Sequence, residues 1–231
     1  MGYKILIITC ILALIAVMMN LKALENNPYS ILKIIISVLL TFTALRYVTL
    51  IVYGGLPDYG LLNTLRYFYL ASSIGITIAT ASATWYVTPC YREKIKYPYF
   101  LLCFLPWIIF YVYVIIKQPT EIIQGSQFGY QLRLTGAFPM YLSIAQGSFV
   151  MIIVTLCLIG MIRYKHLQIR TQLFMMILAQ ILLTLDGVNY GKDRLWVLQP
   201  FTLTEVFALA TTYYAFVVAI KSIHHALQNE S

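Results

Sequence analysis

Residues Ser30–Tyr53 read SILKIIISVLLTFTALRYVTLIVY. Only Lys33 and Arg46 interrupt this run of apolar and hydroxyl-bearing side chains. A helix rises about 1.5 Å per residue, so roughly 20 residues cross a bilayer core of about 30 Å. The run is long enough to span, and it is not alone. Apolar residues make up 61% of the 231-residue chain and charged residues 10%, with a mean hydropathy of +0.80. A soluble domain carries about 25% charged residues. So few charges cannot cover a water-facing surface of this size, which excludes a soluble enzyme, a disordered tail and a nucleic-acid module. The net charge of +8 forms no basic face, because the lysines and arginines scatter toward the ends of apolar runs. That surplus is the positive-inside bias of a membrane protein.

Working outward, seven segments satisfy the spanning length: about 3–21, 30–53, 63–88, 98–116, 138–162, 171–186 and 200–222. Breakers separate them at Asn26-Asn27-Pro28, Gly54-Gly55-Leu56-Pro57, Gln118-Pro119, Gly136 and Gly191. The expectation is an all-α, polytopic seven-helix bundle occupying 1–231 as one domain. Lys4 before the first apolar run imitates a signal peptide, but no small-residue cleavage site follows, so the run is read as a retained span. The stretch from Lys117 to Ala137 is polar and contains Gly125 and Gly129. It reads as a solvated loop, with a short lid as the alternative.

Orientation follows from basic residues. The first, third and fifth connections and the C-terminus carry Lys22, Arg92, Lys94, Lys96, Arg163, Lys165, Arg170 and Lys221. The N-terminus and the other connections carry Lys4, Lys117, Arg133, Lys192 and Arg194. The richer side stays in the cytoplasm, giving N-terminus outside and C-terminus inside. The tail after Lys221 is too short for a catalytic or nucleic-acid domain. No internal repeat is visible, and an odd helix count argues against the paired halves of secondary transporters.

Chemistry concentrates where charge enters apolar sequence. An ionised group inside a bilayer costs a few kcal/mol on insertion scales, so it faces the bundle interior and finds a partner. In this orientation Arg46, Arg66, Asp186 and Glu205 fall at similar depth in the outer half, on four helices. Gln146, Gln180, Thr204 and Asn189 add hydrogen-bonding groups, and Tyr47, Tyr53, Tyr67 and Tyr69 are close enough in sequence to wall a site. Three readings stay open. The set lines an outward-facing ligand pocket, or the charges pair only to fix helix packing, or Arg66 and Asp186 snorkel to the headgroups. Arg46 and Glu205 lie deepest.

The third segment repeats small residues at Ala71, Gly75, Ala79 and Ala83, a spacing that permits close helix approach in lipid. It reads as a central packing helix, with a hydroxyl-lined path through Ser72, Ser73, Thr77, Thr80 and Thr84 as the alternative. Tyr29, Tyr53, Tyr59, Tyr91, Tyr97, Tyr99 and Trp196 sit where interfacial aromatic belts form. Trp85 and Trp107 fall within spans as packing residues. Cys10, Cys90, Cys103 and Cys157 lie in or beside apolar runs without metal-ligand spacing and read as small hydrophobes. No protease, phosphate-loop or hydrolase motif is present. His166, His224 and His225 are extramembrane by this reading, and Lys221 lies too near the last helix's end to carry retinal. No metal or cofactor is expected.

Leu65-Arg66-Tyr67-Phe68-Tyr69-Leu70-Ala71-Ser72-Ser73-Ile74-Gly75-Ile76 resembles the arginine–aromatic–glycine opening of the third helix in the seven-helix N-terminal sensor region of bacterial histidine kinases. The run Arg163–Gly187, with Arg170-Thr171-Gln172 opening a helix, is similar to that family's basic turn and sixth helix. Phe201–Leu209 looks like its last helix. The resemblance covers nearly the whole chain and implies the same N-out, C-in layout in a bacterial cytoplasmic membrane. Two features depart from it. No kinase domain follows within the sequence, and Glu205 stands where many members carry an uncharged residue. The resemblance therefore implies a stand-alone sensor or accessory protein, with a small-molecule or peptide ligand, acting through a membrane or cytoplasmic signalling protein. A small-solute or ion transporter is the second hypothesis, and an integral-membrane enzyme using Glu205 or Asp186 the third.

Overall fold

The computed structural model describes residues 2–125, 129–189 and 201–229. Gly191, Lys192, Arg194, Trp196 and Pro200 lie outside the described residues, as do the side chains of Asn189, Lys221, His224 and His225. The helices are α1 (Gly2–Glu25), α2 (Ser30–Gly54), α3 (Tyr59–Leu65), α4 (Ala71–Val87), α5 (Pro89–Lys94), α6 (Tyr97–Leu102), α7 (Leu105–Lys117), α8 (Phe138–Arg163), α9 (Leu167–Asn189) and α10 (Thr202–Asn229). Strands β1 (Thr120–Gly125) and β2 (Gly129–Leu134) form an antiparallel hairpin between α7 and α8. Among the described residues, six helical stretches are long and apolar enough to cross a membrane: α1, α2, Tyr59–Val87, α8, Leu167–Gly187 of α9 and Thr202–Ala219 of α10. The fold is an all-α, multi-pass bundle carrying one small hairpin.

The third segment is central. In its most apolar stretch 89% of residues are buried inside the protein, against 22% for α8. α4 packs on α2, α10, α9, α7 and α8, while α1 lies between α2 and α10. Lipid supplies no hydrophobic drive between helices, so their association rests on close backbone approach. Gly75 provides it. A Cβ there would overlap Thr43 Oγ1 and stand 3.0 Å from the Leu39 carbonyl oxygen. The hydroxyls of α4 turn back on their own helix: Thr80 to Ile76 O (2.9 Å), Ser82 to Ile78 O (2.7 Å) and Thr84 to Thr80 O (2.9 Å). Large apolar side chains point outward on the peripheral helices, among them Ile8, Ile15 and Met18 on α1 and Ile144, Met151 and Ile162 on α8. Outward-facing apolar side chains on a bundle with a polar centre mark a lipid-facing surface.

Several helix boundaries differ from the bounds of the expected spans. The third segment is not one helix. α3 opens at Asp58, whose carboxylate caps the amides of Gly60 and Leu61 (3.1 and 3.3 Å), and a 3-10 turn over Arg66–Phe68 precedes the restart at Ala71. The fourth segment, expected over 98–116, divides into α6 and α7. Each carries proline in its first turn, where a missing N–H costs nothing. α9 begins at Leu167 rather than near Thr171, and α10 runs past residue 222 to Asn229. Near the α4–α6 junction, the half-buried Tyr91 ties α5 to α8 by donating to Leu156 O at 2.9 Å. Burial pushes its phenol up to about 12.

The stretch expected as a solvated loop holds the hairpin, registered from Thr120 opposite Leu134 to Gly125 opposite Gly129. Tyr130, Leu132 and Leu134 alternate with Gln131 and Arg133, the period-2 pattern of a strand with one packed face. Leu132 is buried. Gly129 has φ of +78°, and a Cβ there would lie 2.7 Å from both Gly54 Cα and Tyr53 O. Only glycine therefore lets the hairpin seat on the end of α2.

Candidate functional site

The buried residues of α2 include Leu32, Ile36, Leu40, Thr43, Arg46, Tyr47, Leu50 and Gly54. Their three- and four-residue spacing is one helical face, and Arg46 lies on it. The face turns toward α4 and α1, and the guanidinium reaches past them to α10. There Arg46 Nε donates to Glu205 Oε2 at 3.2 Å. Arg46 is 5% exposed and Glu205 4%. This is the sole ion pair among the described residues.

Three further groups complete the cluster. Ser72 Oγ, in the first turn of α4, donates to Glu205 Oε1 at 2.6 Å. Arg46 Nη1 donates to the carbonyl of Tyr69, just where the third segment breaks. The same guanidinium lies 5.4 Å from the Tyr69 ring centroid. The helix break thus presents a backbone carbonyl to a charge inside the bundle, and the charge satisfies it. Glu205 sits in the first turn of α10, where the helix dipole favours a carboxylate. Tyr53 covers the cluster from the hairpin end. Its hydroxyl donates to Leu62 O at 2.7 Å and its ring lies 5.4 Å from that of Tyr69.

Tyr47, fully buried beside the pair, brings its hydroxyl close to the Glu205 carboxylate without closing a well-formed hydrogen bond. Asn20 of α1 donates through Nδ2 to Ala16 O (2.8 Å) and Leu209 O (2.9 Å), one turn beyond Glu205 on α10, and leaves Oδ1 unpartnered. The pair therefore joins α2, α4 and α10, with α1 clamped alongside.

The other expected site residues go elsewhere. Arg66 lies at the root of the hairpin. Its Nε donates to Gln118 Oε1 (3.1 Å), Nη1 to Asn63 Oδ1 (3.1 Å), and Nη2 to Gln118 O (3.3 Å), Thr120 O (2.8 Å) and Thr120 Oγ1 (2.9 Å). Asp186 accepts from Phe201 N (2.6 Å) and Thr204 Oγ1 (2.8 Å), stitching the end of α9 to the start of α10. Gln146 accepts from Tyr111 OH at 3.0 Å, between α7 and α8. Gln180 donates to Thr80 Oγ1 at 3.0 Å, deep between α9 and α4. Tyr67 is exposed. Of the residues expected to form the site, the structure gathers Arg46, Glu205 and Tyr47, sets Tyr53 and Tyr69 beside them, and adds Ser72 and Asn20. Among the described residues no cluster of histidine, cysteine, aspartate or glutamate could hold a metal ion.

The arrangement is closed, and both charges are taken up by protein groups. A buried pair of this kind contributes little net stability, because desolvation offsets the attraction, but removing one partner is costly. Comparison with protein-family models, curated proteins and solved structures finds no match to this chain.

Proposed function

We propose that this chain is a non-enzymatic, receptor-like or accessory protein of a cell membrane, acting through a partner protein. In this reading it crosses the membrane seven times, with the split α6–α7 stretch as the fourth crossing, its N-terminus outside and its C-terminus in the cytoplasm. The Arg46–Glu205 pair is the latch of a two-state bundle. Ligand or partner binding at the hairpin end parts it and shifts α10 relative to α2 and α4, and the change is read at the basic end.

The observation carrying this reading is the pair itself. Two charges are buried across three helices and held by Ser72 and the Tyr69 carbonyl. A ligand shifts such an equilibrium only by binding the two states differently, and a buried ion pair makes the states distinct. A transport path along α4 lacks similar support, since its Thr80, Ser82 and Thr84 hydroxyls are spent on their own backbone.

The test is in-cell photo-crosslinking from the basic loop between α8 and α9, comparing wild type with Glu205→Gln, alongside ion and solute flux in liposomes. The expected result is one specific crosslinked protein whose yield changes with the variant, and no flux. A saturable flux that Glu205→Gln alters, with no crosslinked companion, would replace this reading with a transporter.

A further inference from the structure

The opposite end of the bundle holds an unexplained surplus of hydrogen-bond donors. The Asn27 amide Nδ2, the Tyr86 hydroxyl and Arg92 Nε are all buried atoms without partners. A buried polar atom left unsatisfied is costly, so each calls for a reason. They belong to three elements that meet here. Asn27, in the α1–α2 turn, accepts the Tyr29 amide through Oδ1 at 2.9 Å. The Tyr29 ring meets Trp85 and Tyr86 edge-on at 5.2 and 5.9 Å. Arg92 of α5 lies over the Tyr86 ring, its Cζ 5.7 Å from the centroid. Tyr86 is wholly buried and Asn27 nearly so. A fourth unpartnered atom, Thr88 Oγ1, faces Gly160 of α8 and stands apart from this group.

The charge around the three donors has one dominant sign. Lys22, Lys94 and Lys96 are exposed, and Lys33 Nζ donates to the Glu25 carbonyl at 2.7 Å. The acids on the same elements are Glu25 and Glu93, both exposed, and neither forms an ion pair among the described residues. Donors on three elements, one of them a guanidinium, want an acceptor with several oxygens and negative charge. A phosphate offers more acceptor oxygens than a carboxylate does, and arginine is the usual partner of such groups.

We propose that this junction of the α1–α2 turn, α4 and α5 binds a phosphate oxyanion, with Arg92 as its ionic anchor and Tyr86 and Asn27 as neutral donors. Two sources share that chemistry: the headgroup of an anionic phospholipid and a soluble phosphate ester. Basic groups at a bundle end are placed for the first. The proposal is independent of the latch at the hairpin end.

Titration of the full chain in mild detergent tests it, read by tryptophan fluorescence, since Trp85 packs against Tyr29 and Tyr97. The probes are short-chain phosphatidylglycerol, short-chain phosphatidylcholine and inorganic phosphate. The expected result is saturable binding of phosphatidylglycerol but not phosphatidylcholine. Arg92→Gln should weaken it about tenfold, the effect of losing one charge-assisted hydrogen bond. Tyr86→Phe removes only a hydroxyl, so it keeps the test decisive if Arg92→Gln fails to fold, and should weaken binding about threefold. Lys165→Gln, in the separate α8–α9 loop, should leave binding unchanged. Phosphatidylglycerol binding that inorganic phosphate cannot displace assigns the site to lipid, and displacement assigns it to soluble phosphate. Equal binding by wild type, Arg92→Gln and Tyr86→Phe, or equal weakening by Lys165→Gln, would overturn the site.

Discussion

Arg46 and Arg66 stand twenty positions apart near the hairpin end, and they settle their charge in opposite ways. Arg46 lies on the inward face of α2 and takes a carboxylate, Glu205, with both groups nearly sealed from solvent. Arg66 lies at the rim and takes no carboxylate. It spreads its donors over Asn63, Gln118 and Thr120, most of them oxygens at the C-terminal end of α7 and the start of β1. The difference is one of dielectric. A carbonyl fan and the negative end of a helix satisfy a half-exposed guanidinium. A fully buried one requires a counter-charge, because an unpaired charge there costs several kcal/mol. The first arginine therefore couples distant helices, and the second clasps a local hairpin.

The largest effect should come from breaking the buried side of that contrast. Glu205→Ala leaves Arg46 charged and unpaired, and should cost about 3–5 kcal/mol. Thermal unfolding in lipid nanodiscs measures it. The double variant Arg46→Met/Glu205→Leu should recover most of the loss, since apolar replacement of both partners is near neutral. If the double variant is as unstable as Glu205→Ala, the pair is not the source of the cost.

A second test moves the scaffold beneath the pair. Gly75→Ala drives a methyl into Thr43 and against the Leu39 carbonyl, and overpacking of this kind costs about 1–3 kcal/mol. It should push α4, and with it Ser72, away from α2. Thr43→Ala in the same chain should restore part of the stability. No rescue would mean that α2 and α4 do not meet at Gly75.

Arg66→Gln should act weakly and locally. The expected loss is about 1 kcal/mol, because the group is part-exposed and its partners stay solvated when it leaves. Hydrogen exchange should quicken across Thr120–Leu134 and remain unchanged in α10. Glu205→Ala should show the reverse pattern. Equal quickening in both regions for either variant would erase the distinction between coupling and clasp.

Half of this contrast was readable in the letters. Arg46 shares its helical face with Leu32, Ile36, Leu40 and Leu50, so its inward direction follows from spacing. That it pairs with an acid follows from the cost of leaving it alone, although that cost does not choose Glu205 over Asp186. The role of Arg66 was not readable, because nothing in its spacing separates a rim position from a deeper one until the segment is known to break at Leu70. That break carries no proline or glycine between Leu65 and Leu70 and is stabilised from outside, by Arg46 reaching the Tyr69 carbonyl. The partners of Asp186 were not readable for a related reason, since they lie across a connection whose geometry no local pattern fixes. The hairpin and the α6–α7 division were written plainly, in the alternation from Tyr130 to Leu134 and in Pro98 and Pro106. Polarity in one case and hydropathy in the other obscured them.

The smallest effect is the most discriminating test of the proposed latch. Tyr47 is wholly buried, and its hydroxyl closes no well-formed hydrogen bond although a carboxylate and a guanidinium lie beside it. If the hydroxyl does nothing, Tyr47→Phe removes an unsatisfied group and should be neutral or stabilising by up to about 1 kcal/mol. That is the outcome expected for the closed state. In the proposed two-state reading, a hydroxyl kept at a cost in the closed state finds its partner in the open one. Tyr47→Phe should therefore make the α10 amides of the unliganded bundle exchange no faster than in wild type, while lowering the yield of the crosslink attributed to signalling. A variant that is less stable, with a normal crosslink, would show that Tyr47 already hydrogen-bonds in the resting protein and takes no part in switching.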